Sequence, residues 1–268
     1  MKKTRLDQLV YDRGLTESRE RAKTSVMAGL VYVNGQKADK PGAAVSEDAL
    51  IELRGKALPY VSRGGLKLEK ALKEFNFKPE GLICIDCGAS TGGFTDVLLK
   101  NGAAKVYAVD VGYGQLAWSL RTDSRVISME RTNIRHVSPD MLDEAPQLAV
   151  MDLSFISLKL VLPVVRELLT DEGNLICLIK PQFEAGKERV GKKGVVRDFA
   201  VHLEVLSAFM DYAPKFGYTV LGLSFSPIKG PEGNIEYLAH LRKGSFIGPE
   251  INIEQVVEAS KNELGGSL

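Results

Sequence analysis

The sequence predicts an α/β protein in two parts: a small α+β unit, then a larger parallel sheet wrapped by helices. Three observations predict it. From residue 82 onward, short apolar runs alternate with helical stretches, the pattern of a parallel sheet whose crossovers are helices. Before residue 54, two short helices and a hairpin are packed into little chain. Charge also divides along the sequence: residues 1–73 carry 15 Lys and Arg against 9 Asp and Glu, and the remainder carry 20 against 25. A basic front on a mildly acidic body suits a front that meets a polyanion, and equally suits a solvated surface. With 268 residues, 44% of them hydrophobic and 26% charged, the chain has enough apolar material for a sizeable core.

In the front unit, Thr4 followed by Asp7 reads as an N-cap with a carboxylate one turn in. Leu6, Leu9 and Val10 form its apolar stripe, and Gly14 suits the stop. A second helix is expected from Thr16 to about Gly29, with Ala22 and Val26 on one side and the cations Arg19 and Lys23 together on another. Leu30–Val33 then runs into Asn34-Gly35, a strong hairpin signal, and Ala49–Leu53 closes the unit as a strand. Residues 54–61, RGKALPYV, read as the connection, punctuated by Gly55 and Pro59. The expected domains are therefore 1–58 and 59–268.

In the larger domain, strands are expected at 82–85, 106–109, 126–129, 148–151 and 175–179. Runs at 220–225 and 236–241 lie close together, which suits an antiparallel pair at the sheet edge, an arrangement typical of methyltransferases rather than dehydrogenases. The first strand ends in Asp86-Cys87-Gly88-Ala89-Ser90-Thr91-Gly92-Gly93-Phe94. Glycines at a strand-to-helix turn let the backbone approach a ligand. The spacing is not the G-x-G-x-x-G of dinucleotide enzymes, and an acid opens the loop. A carboxylate suits the ammonium of S-adenosylmethionine. Asp110, followed by Val111, ends the second strand at the position that holds ribose hydroxyls in Rossmann-like sites. Together these favour S-adenosylmethionine over NAD. Asn133 and Ile134, after the third strand, are candidates for the adenine edge.

The fourth strand ends Met151-Asp152-Leu153-Ser154-Phe155. This keeps the acid and the aromatic of exocyclic-amine methylases but lacks their two prolines, and no cysteine nucleophile of the cytosine-carbon type lies nearby. The fifth strand ends in Lys180-Pro181, and a lysine pointing into a site from a strand end is costly unless it acts. Lys67 and Glu236 are two further pieces that could meet it. With Asp152 they make two cations and two carboxylates, persuasive only in combination.

No apolar run is long enough to span a bilayer, and the basic start has no apolar signal core behind it. The expected address is the cytoplasm, without a membrane and without an obligate protein partner. Three cysteines cannot build a disulfide framework, which agrees with a reducing compartment. Cys84-x-x-Cys87 reads as structural packing, because His136, His202 and His240 show no ligand spacing; no metal is expected.

Two resemblances sharpen these readings. RLDQLV and SRERAKTSVMAGLVYVNGQ, over roughly residues 4–53, resemble the RNA-binding domain of ribosomal protein S-four, the alpha-L RNA-binding motif. That implies RNA contact through Arg5, Ser18, Arg19 and Lys23. YVSRGGLKL, DCGASTGGFTD, AVDVGYGQL, MDLSFIS, LIKPQFE and IKGPEGNIEY, in order, resemble the TlyA branch of the FtsJ-like ribose methyltransferases. The family carries a Lys-Asp-Lys-Glu tetrad, which falls here on Lys67, Asp152, Lys180 and Glu236. The resemblance implies methyl transfer from S-adenosylmethionine to ribose 2′-hydroxyls of ribosomal RNA, alone or in a ribosomal subunit. Lys180 is then the expected base, its pKa lowered by Lys67 and partial burial. Lys67 would steady the oxyanion, and the carboxylates would orient the other groups. The glycine-rich segment 182–197, with Lys187, Arg189, Lys192 and Lys193, is expected to clamp RNA phosphates together with Arg63. The rivals are a base methyltransferase on the same scaffold and a non-catalytic RNA-binding factor. Some family members were first labelled haemolysins, but nothing here resembles a lytic segment.

Overall fold

A computed structural model describes residues 2–55 and 58–265. Lys56 and Ala57, inside the expected connection, lie outside the described residues.

The front unit contains strand β1 (Lys3–Arg5), helices α1 (Leu6–Asp12) and α2 (Arg19–Met27), and strands β2 (Val31–Val33), β3 (Gln36–Ala38), β4 (Ala44–Ser46) and β5 (Ile51–Leu53). Its core joins Leu6, Leu9 and Val10 of α1 to Ala22 and Val26 of α2, over Val31 and Ile51. These are the apolar positions that helical spacing marks. Asn34 and Gly35 both take positive φ, 50° and 78°, as a tight hairpin turn between β2 and β3 requires. Strand β5 pairs with the other edge of β2.

Two boundaries differ from expectation. Thr4 is not a cap; it lies in β1, which pairs with β4, and its hydroxyl donates to Glu47 at 2.8 Å. Helix α2 begins after Ser18 rather than at Thr16, because the Ser18 hydroxyl accepts from the Arg21 N–H at 3.1 Å.

The larger part follows with α3 (Gly65–Glu74), β6 (Ile83–Cys87), α4 (Gly93–Lys100), β7 (Lys105–Val109), α5 (Trp118–Arg121), β8 (Val126–Met129) and β9 (Leu148–Met151). Then come α6 (Leu162–Leu168), β10 (Asn174–Ile179), α7 (Pro181–Glu184), α8 (Phe199–Tyr212), β11 (Tyr218–Phe225), β12 (Tyr237–Lys243) and α9 (Ile253–Leu264). Seven strands form one sheet in the order β11-β12-β10-β9-β6-β7-β8. All the pairs from β10 to β8 are parallel, while β12 runs antiparallel to both neighbours. The last two strands thus form the expected antiparallel pair, with β12 inserted beside β10.

Period-two alternation sorts the strand residues onto two faces. Ile85, Cys87, Met151 and Cys177 face α6 and α8, whereas Cys84, Val150, Ile176 and Leu178 face α3 and α4. Cys84 and Cys87 therefore sit in opposite cores, each buried and reduced, and cannot close on one ligand.

Candidate active site

The chain runs β6, β7, β8 in one direction across the sheet and then returns through β9 and β10 on the other side of β6. This reversal opens a crevice above the carboxyl ends of β6 and β9, the place where such sheets bind ligands. A cavity of about 690 Å³ occupies it, lined by the loops after β6, β7, β8 and β9. A second, of about 220 Å³, adjoins it and reaches toward α3 and β10. Gly88, Ser90, Asp152 and Ser154 border both.

Four side chains from four elements meet here: Lys67, Asp152 and Lys180 line the smaller cavity, and Glu236 is buried behind them. Lys67 comes from α3, Asp152 follows β9, Lys180 follows β10, and Glu236 immediately precedes β12. The Lys67 ammonium lies 2.6 Å from Glu236 Oε2 and 3.1 Å from Asp152 Oδ2. The Lys180 ammonium lies 2.5 Å from Asp152 Oδ1 and 4.0 Å from Glu236 Oε1. Lys67, Lys180 and Glu236 are buried, and Asp152 is the most accessible of the four. The reversed strand matters here, since β12 pairs in register with β10 and sets Glu236 beside Lys180. Gly230 leaves room for that carboxylate: a Cβ there would stand 2.7 Å from Glu236 Oε1.

Lys67 and Asp152 hold one another in the ionised form. Burial alone would lower the Lys67 pKa, but Asp152 and Glu236 outweigh it, and the pKa is raised. Burial likewise pushes Asp152 up, and Lys67 with Lys180 more than reverses it. Lys67 is held as an ammonium and supplies fixed positive charge.

The larger cavity gathers most of the expected cofactor residues. Gly88, Ser90, Asp110, Val111, Asn133, Ile134 and Asp152 line it. Ala89, Thr91, Gly93 and Phe94 turn toward the smaller cavity instead. Asp110 braces the walls: Oδ2 accepts from Ser90 N–H at 2.8 Å and Oδ1 from Gly112 N–H at 2.7 Å. The Asn133 side chain accepts from Arg135 N–H at 3.0 Å. Gly88 has φ +91°, and a Cβ there would stand 2.9 Å from Leu153 and 3.3 Å from the Asp152 carbonyl. Only glycine lets the β6 and β9 loops approach so closely.

Two expected cofactor residues are placed otherwise. Gly92 (φ +96°) backs onto Leu116 and Leu120 and borders neither cavity. Asp86 lies behind the loop: its Oδ2 accepts from the Thr95 N–H at 3.0 Å and hydroxyl at 2.7 Å. Its Oδ1 is buried without a hydrogen-bond partner among the described residues, and burial pushes its pKa up to about 7. An unmet buried acceptor beneath a glycine cradle fits a ligand that brings a positive amino group, as S-adenosylmethionine does.

The expected RNA-contact residues fall into two groups. Arg5 and Arg19 share the buried carboxylate of Asp7, at 2.9 and 3.5 Å, while their own side chains remain about half exposed. Ser18 is a helix cap. Lys23 lines a cleft with Trp118 and Arg121, across which Glu20 Oε1 accepts from the Trp118 N–H at 3.1 Å. Helix α2 therefore also faces the catalytic domain, near Gln115, a cavity residue that sequence reading missed. Arg63, Lys187, Arg189, Lys192 and Lys193 are exposed. Arg189 pairs with Glu204 at 2.6 Å. The segment 182–197 is anchored at its far end, where buried Asn234 accepts from Val196 N–H at 3.0 Å and donates to the Gly194 carbonyl at 2.8 Å. Phe155 and Ser154 stood in a quoted motif without an assigned part. Phe155 is 90% exposed at the cavity wall with φ +63°, and Ser154 Oγ accepts from Lys180 at 3.3 Å.

The crevice is lined by a loop after β6, Gly88-Ala89-Ser90-Thr91-Gly92-Gly93, without the G-x-G-x-x-G spacing that cradles a dinucleotide's pyrophosphate. Its reversed β12 and glycine-lined cavity belong to a methyltransferase that uses S-adenosylmethionine. Comparison with known proteins specifies which kind. Residues 60–243 match the FtsJ-like methyltransferase family, to which the chain belongs, and residues 4–51 match the S4 domain. The chain is 53% identical to YqxC of Bacillus subtilis (strain 168), named as a candidate rRNA methyltransferase, over 98% of this chain and 96% of that protein. It is 45% identical to the 16S/23S rRNA (cytidine-2′-O)-methyltransferase TlyA of Mycobacterium tuberculosis (strain ATCC 25618 / H37Rv), over 90% of each. A solved haemolysin-labelled structure from Streptococcus thermophilus superimposes with a TM-score of 0.78 at 50% identity, covering 99% of this chain and 98% of that one.

Proposed function

We propose that the protein transfers the methyl group of S-adenosylmethionine to a ribose 2′-hydroxyl of ribosomal RNA, with cytidine as the target nucleoside. The convergence of Lys67, Asp152, Lys180 and Glu236 at the floor of the smaller cavity carries this reading. The cytidine-specific name of the Mycobacterium tuberculosis relative supports the choice of nucleoside.

In this reading, Gly88, Ser90, Asp110, Val111, Asn133 and Ile134 hold the cofactor in the larger cavity, over the buried Asp86. The bound cofactor supplies an electrophilic methyl on a positively charged sulfur. A ribose hydroxyl is a poor nucleophile and must shed its proton as it attacks. Lys180 accepts that proton. It does so in its neutral form. Lys67, held protonated, steadies the developing oxyanion. Asp152 spans both ammoniums and fixes their spacing, and Glu236 orients Lys67 from below. Alignment of oxygen, methyl and sulfur is the main work left to the protein.

Residues 1–58 form the RNA-binding domain and 59–268 the methyltransferase domain. Arg5, Arg19, Lys23 and Arg63, with Lys187, Arg189, Lys192 and Lys193, meet RNA phosphates. Ser18 contributes by starting α2. A ribosomal RNA substrate supports a cytoplasmic address. No helix among the described residues is long and apolar enough to cross a membrane, and lysis is no part of this reading.

The test is single-turnover methylation of unmodified ribosomal RNA, followed by digestion to nucleosides. A 2′-O-methylated nucleoside, absent with Lys180→Ala, is the expected product. Wild-type turnover by Lys180→Ala would remove the base assignment, and a methyl on the base would remove the ribose reading.

A further inference from the structure

We propose that Glu184 is a positioning residue for the methyl transfer: it fixes the loop 153–160, the wall of the cofactor cavity that carries Phe155. The inference rests on the reading of the larger cavity as the cofactor's.

Glu184 ends the short helix α7, four residues after Lys180. Its Oε1 accepts from the Leu158 N–H at 2.7 Å, and its Oε2 accepts from the Ser157 hydroxyl at 2.8 Å. The Tyr212 hydroxyl also reaches Oε2, at 3.5 Å. No cation stands within ion-pair distance of the carboxylate among the described residues. A partly buried carboxylate with no ion pair is costly to maintain, and hydrogen bonds from a neighbouring loop, with the more distant charge of Lys159, are its compensation.

The segment 180–184 grips that loop at both ends. Lys180 holds Asp152 Oδ1 at 2.5 Å and Ser154 Oγ at 3.3 Å. Glu184 holds Ser157 and Leu158, at the start of the 3₁₀ turn 158–160. Between the grips the Phe183 and Phe155 rings approach with centroids 5.1 Å apart. Phe155 sits at φ +63°, a strained conformation for a side-chain-bearing residue, and 90% exposed, so its own burial does not hold it there. The strain persists because both flanks are fixed. Leu153, Ser154, Phe155, Ile156, Ser157 and Leu160 all line the larger cavity, so release of the far flank loosens one wall of the cofactor site.

The two functional groups of Glu184 predict different variants to behave differently. Glu184→Gln keeps an acceptor for Leu158 N–H, and its amide can donate to the Ser157 hydroxyl. Glu184→Ala keeps neither. Ser157→Ala removes the Oε2 hydrogen bond from the loop side without touching α7, together with the Ser157 cap on the Lys159 N–H.

The experiment is calorimetric titration of the folded full chain with S-adenosylmethionine, at a temperature well below each variant's thermal transition, paired with single-turnover methylation. Glu184→Ala is expected to weaken cofactor binding at least fivefold and slow methylation at least tenfold. Glu184→Gln is expected within twofold of wild type and Ser157→Ala between the two. Cofactor binding by Glu184→Ala within twofold of wild type, with only a lowered thermal transition, would overturn the proposal. Should Glu184→Ala not fold, Ser157→Ala decides, and unchanged binding there would overturn it equally. A wild-type chain that binds no S-adenosylmethionine would sink the cofactor reading itself, a result distinct from any difference between variants.

Discussion

Both domains set two cations on a shared carboxylate, and they do so at opposite depths. In the front domain, Asp7 is buried while Arg5 and Arg19 reach out from it, each about half exposed. In the catalytic domain, Lys67 and Lys180 are themselves buried, and Asp152 between them is the part open to the cavity. On the proposed reading, the first arrangement aims planar guanidiniums at RNA, where solvent screening makes each ion pair weak and exchange for a phosphate contact cheap. The second removes ammoniums from water, where charge interactions are strong and one lost partner is costly. Depth, more than composition, separates a docking surface from a reaction centre.

The sharpest way to break the comparison is inside the tetrad. Lys180→Ala should lower single-turnover methylation by about 10³-fold or more, within the range for a lost acid–base group. Asp152→Ala should do the same and also destabilise the fold by about 3 kcal/mol in urea unfolding, since it leaves two buried ammoniums with Glu236 as their one remaining carboxylate. Lys180→Ala leaves one ammonium facing two carboxylates rather than two ammoniums facing one, and Lys67 keeps both its contacts, so its stability loss should be the smaller. Equal stability losses would contradict the depth argument.

The exposed cations should respond in affinity rather than turnover. Replacing Lys192 and Lys193 with Gln should weaken RNA binding roughly tenfold at physiological salt and reduce the salt slope by about 1.5–2. Cofactor affinity should stay unchanged, because these exposed lysines border neither of the two active-site cavities. Unchanged RNA affinity would remove the clamp from segment 182–197.

The smallest effects lie in pH, and they have opposite signs in the two domains. Burial raises Asp86 to about 7, against about 3.9 in an unfolded chain. Its native form thus binds a proton that the unfolded form has lost, and stability falls as pH rises from about 4 to about 7. Asp86→Asn should therefore gain in melting temperature relative to wild type across that window, with the difference level above it. Asp7 is the reverse. Burial pushes it up, but Arg5 and Arg19 outweigh burial and hold it below its ordinary value. Its contribution is present above about pH 4 and disappears as pH falls through the lowered native value. Asp7→Asn should melt lower than wild type at neutral pH and converge with it in acid.

The central parallel strands were legible because they are apolar runs buried on both faces, as at 148–151 and 175–179, whereas the edge strand 126–129 is only half-buried. The tetrad was legible as well, since its members stand at element ends that the fold must bring to one edge. Spacing alone could not show on which side of a turn a side chain leaves. Asp86 opens the glycine loop in sequence yet turns beneath it, toward Thr95. Strands β1 and β4 have three residues each, too few for an alternation to register. Thr16 and Ser18 are both good caps, and only the Arg21 hydrogen bond chooses between them. The sign of the Lys67 shift depends on distances to two carboxylates far away in sequence, which no local pattern encodes.

The most direct test of the central claim follows labelled methyl from S-adenosylmethionine into unmodified ribosomal RNA and identifies the labelled nucleoside. The depth-dependent account predicts 2′-O-methylcytidine with the wild-type chain and none with Lys180→Ala, although that variant still binds both cofactor and RNA. Label on a base, or undiminished 2′-O-methylation by Lys180→Ala, would contradict it.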